Sequence, residues 1–330
     1  MRCTRPFFIV GTPRSGTTLL QAMFMAADGL YVPPETHFMA LTMQREKING
    51  HPSTDSGLAN NIEQILGVCD RHELPVDKAS LEKQLRQCER SYAGLFDALL
   101  WHMQQRRPGC RRIGEKSPGH LRCVPQLLDM FDDARIITII RDARDVALSH
   151  ETAFGSTALR AAIAWRRDQR LHAHYRKTLP ADRYTSVRYE DLVGHPAQEL
   201  ARLCAFLGEP YCASMLAYHQ RREAGFPQWE SYKAMTMQPL TTSRVGRYRT
   251  QLSRPKIALV QAIAGAELRA NGHTLEAAPR LAALAVAARQ LPGLLATRFR
   301  WHRDVRRLPG EGAPSGRPKK GSDPFSKKGV

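Results

Sequence analysis

The sequence predicts an α/β fold in which a central parallel sheet is flanked by helices. Two stretches carry the prediction. Residues 7–20 run from apolar strand to glycine-bounded loop to helix, the layout of a phosphate-binding loop. Residues 133–140 end in the β-branched run Ile136-Ile-Thr-Ile-Ile140, suited to a strand buried on both faces. In 330 residues with 42% hydrophobic content there is room for one large domain with appendages. We divide the chain into a catalytic domain at 1–280, a basic amphipathic helical segment at 281–308 and a disordered tail at 309–330.

The first strand is Phe7 to Val10. The loop that follows, Gly11-Thr-Pro-Arg14-Ser15-Gly16-Thr17-Thr18, fits the phosphate-loop spacing of nucleoside triphosphatases at every position but one. Thr17 stands where those enzymes place a lysine next to a magnesium-binding hydroxyl. The positive charge sits instead on Arg14, whose planar fork suits a terminal tetrahedral anion without a metal. Gly11 and Gly16 let an anion approach the main chain. Helical sequence runs from Leu19 to Ala27.

Residues 29–34 read as a short strand stopped by two prolines, followed by Glu35 and His37. Residues 41–110 form a helical insertion, with loops at 52–57 and at Pro75 and one helix over 80–107. Such insertions often cover a ligand crevice, so this one is assigned to the acceptor side. Residues 111–118 end in Glu115-Lys116-Ser117-Pro118, followed by His120 and a helix over 121–130. The strand at 133–140 ends in Arg141-Asp-Ala-Arg-Asp145, and the helix after it carries Ser149. An arginine and a serine at this spacing can converge on one phosphate. Arg144 reads as the partner of a nearby carboxylate. The helix over 157–179 turns Leu159, Ile163, Trp165 and Leu171 inward. Residues 183–192 contain Tyr189-Glu190-Asp191, and Pro196 opens a helix through Leu207. The loop at 240–249 is basic and includes Ser243 and Arg247.

The net charge of +18 points to anionic partners. Residues 281–330 hold eleven Arg/Lys against three Asp/Glu, so the body is basic without them. Residues 281–307 suit either an anionic membrane surface or packing on the body. The seven cysteines are scattered without metal-ligand spacing and read as reduced thiols. The N-terminus leads straight into the first strand, with no signal peptide or membrane span. The expected location is cytoplasmic, with peripheral contact at the inner membrane face left open.

Taken in order, Pro13-Arg14-Ser15-Gly16-Thr17-Thr18, Glu115-Lys116-Ser117-Pro118, the Arg141-to-Ser149 element and Val187-Arg-Tyr189-Glu190-Asp191-Leu192 resemble the sulfotransferases that use 3′-phosphoadenosine 5′-phosphosulfate (PAPS). The resemblance spans residues 7–192, with a weaker echo to 275, and is nearest in style to the tyrosylprotein sulfotransferases. Ala143 departs from the family's proline. The resemblance implies the P-loop-containing sulfotransferase fold and transfer of a sulfuryl group to a hydroxyl or amine, releasing PAP, with no metal. It implies that Arg14, Ser15, Gly16, Thr17 and Thr18 hold the 5′-phosphosulfate, and that Arg141 and Ser149 hold the 3′-phosphate. Lys116 is implied to stabilise the leaving oxygen and Glu35 to act as the base, with His37 as rival base. His120 suits either acceptor binding or a helix cap. Tyr189 reads as an adenine neighbour or as core, and Arg247 as part of a closing loop or of a solvated one. The acceptor stays open among glycan, lipid, small natural product and peptide tyrosine, and no specific nucleic acid is implied. The alternatives are an ATP-using P-loop kinase and a non-enzymatic polyanion binder. Sparse aromatics, 7% of residues, disfavour the binder.

Overall fold

The computed structural model describes residues 3, 5–220, 225–227, 229–278 and 281–292. The elements named here lie within residues 1–287, which form one compact unit. Among the described residues one sheet of five parallel strands has the order β2-β3-β1-β4-β5. These strands are β1 (Phe7–Gly11), β2 (Leu30–Tyr31), β3 (Arg112–Lys116), β4 (Arg135–Ile140) and β5 (Tyr184–Arg188). All parallel strands end on the same side, where ligands of doubly wound sheets bind.

The register decides which residues meet there. Ile9 pairs with Lys116 across β1 and β3, and Gly11 pairs with Ile139 across β1 and β4. The loop after β1 therefore opens between Lys116 and Arg141. β1 is central, and Phe7, Phe8, Ile9 and Val10 are fully buried. Phe8 packs near Phe96 and Phe131, and Phe38 stacks on Phe96 with centroids 4.1 Å apart.

Side-chain caps start many of the helices. Thr54 accepts from the Gly57 N–H at the head of α2 (Asp55–Arg71), where α1 is Thr17–Met25. Asp77 does the same for α3 (Lys78–Gln87), and Ser91 for α4 (Tyr92–Gln105). The single helix expected over 80–107 is therefore two, because residues 88–91 leave helical geometry and Ser91 caps a new start. α5 (Val124–Met130) follows a short 3₁₀ segment, Pro118–Cys123. α6 (Ala143–Phe154) follows β4, with Asp142 as its cap. α7 (Ala158–Thr178) buries Leu159 and Trp165 as expected, but Ile163 faces solvent. α8 (Tyr189–Gly194), α9 (Pro196–Leu207) and α10 (Arg254–Ala270) complete the elements used below.

All seven cysteines are free. Residues 281–292 are helical, with Leu281 and Leu284 exposed. The basic cluster at 298–303 and the tail at 309–330 lie outside the described residues. Among those described, no helix is long and apolar enough to cross a membrane.

Candidate active site

A cavity of about 540 Å³ opens at the carboxyl ends of the strands. Its wall includes Arg14, Gly16, Thr17 and Thr18 from the loop after β1, Glu35 and His37 after β2, and Arg141, Ser149 and Tyr189. Segments distant in sequence thus meet in one place.

The loop is shaped by its backbone. Gly16 has φ near 104°, and a Cβ there would sit 2.6 Å from Tyr189 Cδ2. Glycine is therefore needed for both conformation and space. Arg14 takes φ near 74°, which costs a non-glycine residue energy and turns its side chain toward α6. Its Nε donates to Ser149 Oγ at 3.1 Å, and its guanidinium lies over the Phe154 ring. Thr17 and Thr18 occupy the first turn of α1 instead of the loop, where helical N–H groups lack intrahelical acceptors and favour an anion.

Arg141 stacks on Tyr189, 4.4 Å from the ring centroid. It donates to the Arg244 carbonyl at 2.6 Å and the Arg14 carbonyl at 3.3 Å. Its Nε is buried with no partner. The carbonyl of Arg141 accepts from Trp165 Nε1 at 2.8 Å, so α7 fixes its backbone. The rest of the Arg141-to-Asp145 element is scaffold. Asp142 forms a two-pronged pair with Arg144, through Nε at 2.9 Å and Nη2 at 2.7 Å. Asp145 accepts from the Gly246 and Tyr248 N–H groups and holds the late basic loop against α6. Glu190 accepts from the Asp142 N–H.

Glu115 is a buried hub. Its carboxylate accepts from Thr36 Oγ1 at 2.8 Å and Ser117 Oγ at 2.5 Å, and lies 2.9 Å from His120 Nδ1. Ser117 Oγ in turn accepts from the His37 N–H. The acidic residue before Lys116 therefore fixes the segment that carries Glu35. His120 has its other nitrogen accepting from the Met39 N–H, so both are engaged and it is not placed to bind an acceptor.

Glu35 lies between two lysines, 2.5 Å from Lys116 Nζ and 2.7 Å from Lys233 Nζ, with His37 Nε2 at 3.4 Å. Lys233 also pairs with Glu230 at 2.7 Å. Burial alone would raise the Glu35 pKa, but Lys116, Lys233 and His37 hold it well below the usual carboxylate range. Burial, working against the Glu35 charge, lowers the Lys116 pKa to about 8. Burial likewise holds His37 below its ordinary value.

Three expected placements differ. Lys116 is fully buried behind the wall and points at Glu35, with Thr18 Oγ1 at 3.4 Å. Ser15 is buried beneath the loop, its Oγ without a partner and off the cavity wall. Arg247 turns to Gln251 at 2.6 Å, and Arg244 of the same loop lines the cavity in its place. Sequence reasoning missed Lys233, Glu230, His72 and Trp229, which also line the cavity. Only Arg244 left a signal, three residues from the arginine chosen.

Residues 6–213 match the sequence profile of the sulfotransferase family. Protein-tyrosine sulfotransferase 1 of Danio rerio is 24% identical over 221 residues, which are 64% of this chain and 56% of that one. The Drosophila melanogaster protein-tyrosine sulfotransferase is covered over 40% of its length, so the chain spans about half of these curated relatives. The sulfotransferase domain from the Synechococcus PCC 7002 olefin synthase shares the fold, with TM-score 0.60 and 24% identity over 84% of this chain and 98% of that one. The sulfotransferase domain from the curacin biosynthetic pathway also gives 0.60, with 20% identity over 84% of this chain and 100% of that one. The family profile covers the loop, the Glu35 segment and the Arg141 element together, and by it the chain belongs to the sulfotransferase family.

Proposed function

We propose that the enzyme uses PAPS as donor and transfers its sulfuryl group to a hydroxyl or amine acceptor, releasing PAP. One observation carries this reading. Two sets of groups suited to anions line one cavity, the helix start with Arg14 and the Arg141 guanidinium, with Ser149 bonded to Arg14 between them. PAPS carries charged groups at both its 5′ and 3′ positions. The partnerless buried Nε of Arg141 is a donor that a bound phosphate would satisfy.

When bound, PAPS supplies the electrophilic sulfur. Thr17, Thr18 and Arg14 would hold its 5′-phosphosulfate oxygens, and Arg141 and Ser149 its 3′-phosphate. Glu35 takes the acceptor proton as the acceptor's oxygen or nitrogen bonds to sulfur and the sulfur–phosphate oxygen bond breaks. Lys116, behind the wall and 3.4 Å from Thr18 Oγ1, would offset the charge left on that oxygen from beneath the first turn of α1. Pairing of Lys116 with Glu35 and its attraction to the donor compete. A bound donor therefore weakens the pair and raises the basicity of Glu35, which the two lysines otherwise suppress.

Calorimetric titration in EDTA tests the donor. The expected result is PAP binding much tighter than ADP binding. Equal affinities, or ADP binding restored by Mg²⁺ and exceeding that of PAP, would remove the assignment.

A further inference from the structure

We propose that the acceptor is an uncharged, apolar alcohol, aliphatic or aromatic, whose body lies along a strip of rings formed by His37, His72 and Trp229 and whose hydroxyl meets Glu35. The proposal rests on the donor and base assignments above.

The strip runs outward from the base. His37 lies against Glu35, the His72 ring is 4.8 Å from that of His37, and the Trp229 ring is 5.5 Å from that of His72. Trp229 and Met235 line the cavity yet remain 54% and 48% exposed. Large apolar side chains open to water at a cavity mouth mark a binding surface. The indole N–H of Trp229 is already donated to the Arg71 carbonyl at 2.9 Å. That bond orients the ring and leaves its apolar faces for a ligand.

Charge argues against ionic acceptors at this end. Lys116, Glu35, Lys233 and Glu230 form an alternating chain in which each charge meets an opposite one. Burial and the neighbouring His37 lower the His72 pKa to about 4, and burial lowers that of His37, which favours uncharged rings. Next to Met235, the wall continues through Thr236, Pro239 and Leu240, none of them charged. The cavity's arginines, Arg14, Arg141 and Arg244, belong to the donor end. Among the described residues of the cavity wall, an acidic peptide would find the lysine charge beside Glu35 already matched by Glu35 and Glu230.

The test has two arms. In the first, transfer of label from ³⁵S-PAPS is measured to 2-naphthol and 1-decanol, beside an acidic tyrosine peptide and chitopentaose. Naphthol and decanol separate a ring-bearing from a chain-bearing source of the same chemistry. We expect one or both to be sulfated. Trp229→Ala and Met235→Glu, both at exposed positions, should raise KM about tenfold with kcat and PAP affinity retained. Label passing only to the peptide or the sugar, or a KM indifferent to both substitutions, would overturn the proposal. In the second arm, 2-naphthol binding is measured by calorimetry without donor, against Trp229→Ala. Binding that the substitution weakens supports the strip, and its absence counts against it. Absence of PAP binding would overturn the donor reading, and the acceptor role with it, even where 2-naphthol still binds.

Discussion

Glu35 and Lys116 are 2.5 Å apart and buried, so each governs the charge of the other. Glu35→Gln should lower transfer about a hundredfold or more, since the replacement cannot take a proton. The same variant should bind PAP more tightly than the parent, because Lys116 is released and a negative charge is removed. Parallel transfer and calorimetric assays check both halves, and weaker PAP binding would contradict the competition. A pH series tests Lys116 itself. Its pKa is lowered to about 8, so the ammonium is present below that pH and lost above it. PAP affinity should therefore decline as pH rises through about 8. Lys116→Met should flatten that decline.

At the scale of elements, connections after three strands line the cavity, and buried carboxylates hold two of them, Glu115 the one after β2 and Glu190 the one after β4. Glu115 binds the segment after β2, and Asp145 binds the loop at 244–248. Glu115→Ala should lower unfolding stability by about 3 kcal/mol, read by urea denaturation. Burial works against Glu115, but His120, Ser117 and Thr36 bring its pKa below the usual range. Its contribution is thus present above the unfolded-state value of a glutamate and is lost as pH falls through the lowered folded one. The alanine variant should lack that acid-limb loss. β1 and β4 were legible as short apolar or β-branched runs, whereas β3 and β5 are mixed in composition and were legible only through the family resemblance, which ran the last strand on to 192 although α8 begins at Tyr189. α2 was expected only as part of the helical insertion, and its first turn was read as a loop at 52–57, although Leu58, Ile62, Ile65 and Cys69 lie on one buried face. The cap at Ser91 that divides 80–107 was also readable, but the apolar period continues across the break and hides it. Lys233 and Trp229 could not be found by pattern. They reach Glu35 and Arg71 across 198 and 158 residues through a segment with no repeating signature.

Across the whole molecule, a parallel sheet brings residues from position 14 to position 244 to one edge, in a chain of net charge +18. That charge should speed and strengthen anion capture at low ionic strength and be screened by salt. Under the proposed function, Arg141 would read the 3′-phosphate that separates PAPS from other adenine nucleotides. That role is tested most directly by titrating the parent and Arg141→Ala with PAP and with AMP, which lacks that phosphate. The parent should prefer PAP by at least about tenfold, and the variant should lose most of the preference while its AMP affinity changes little. Equal binding of PAP and AMP by the parent, or an undiminished preference in the variant, would contradict the account.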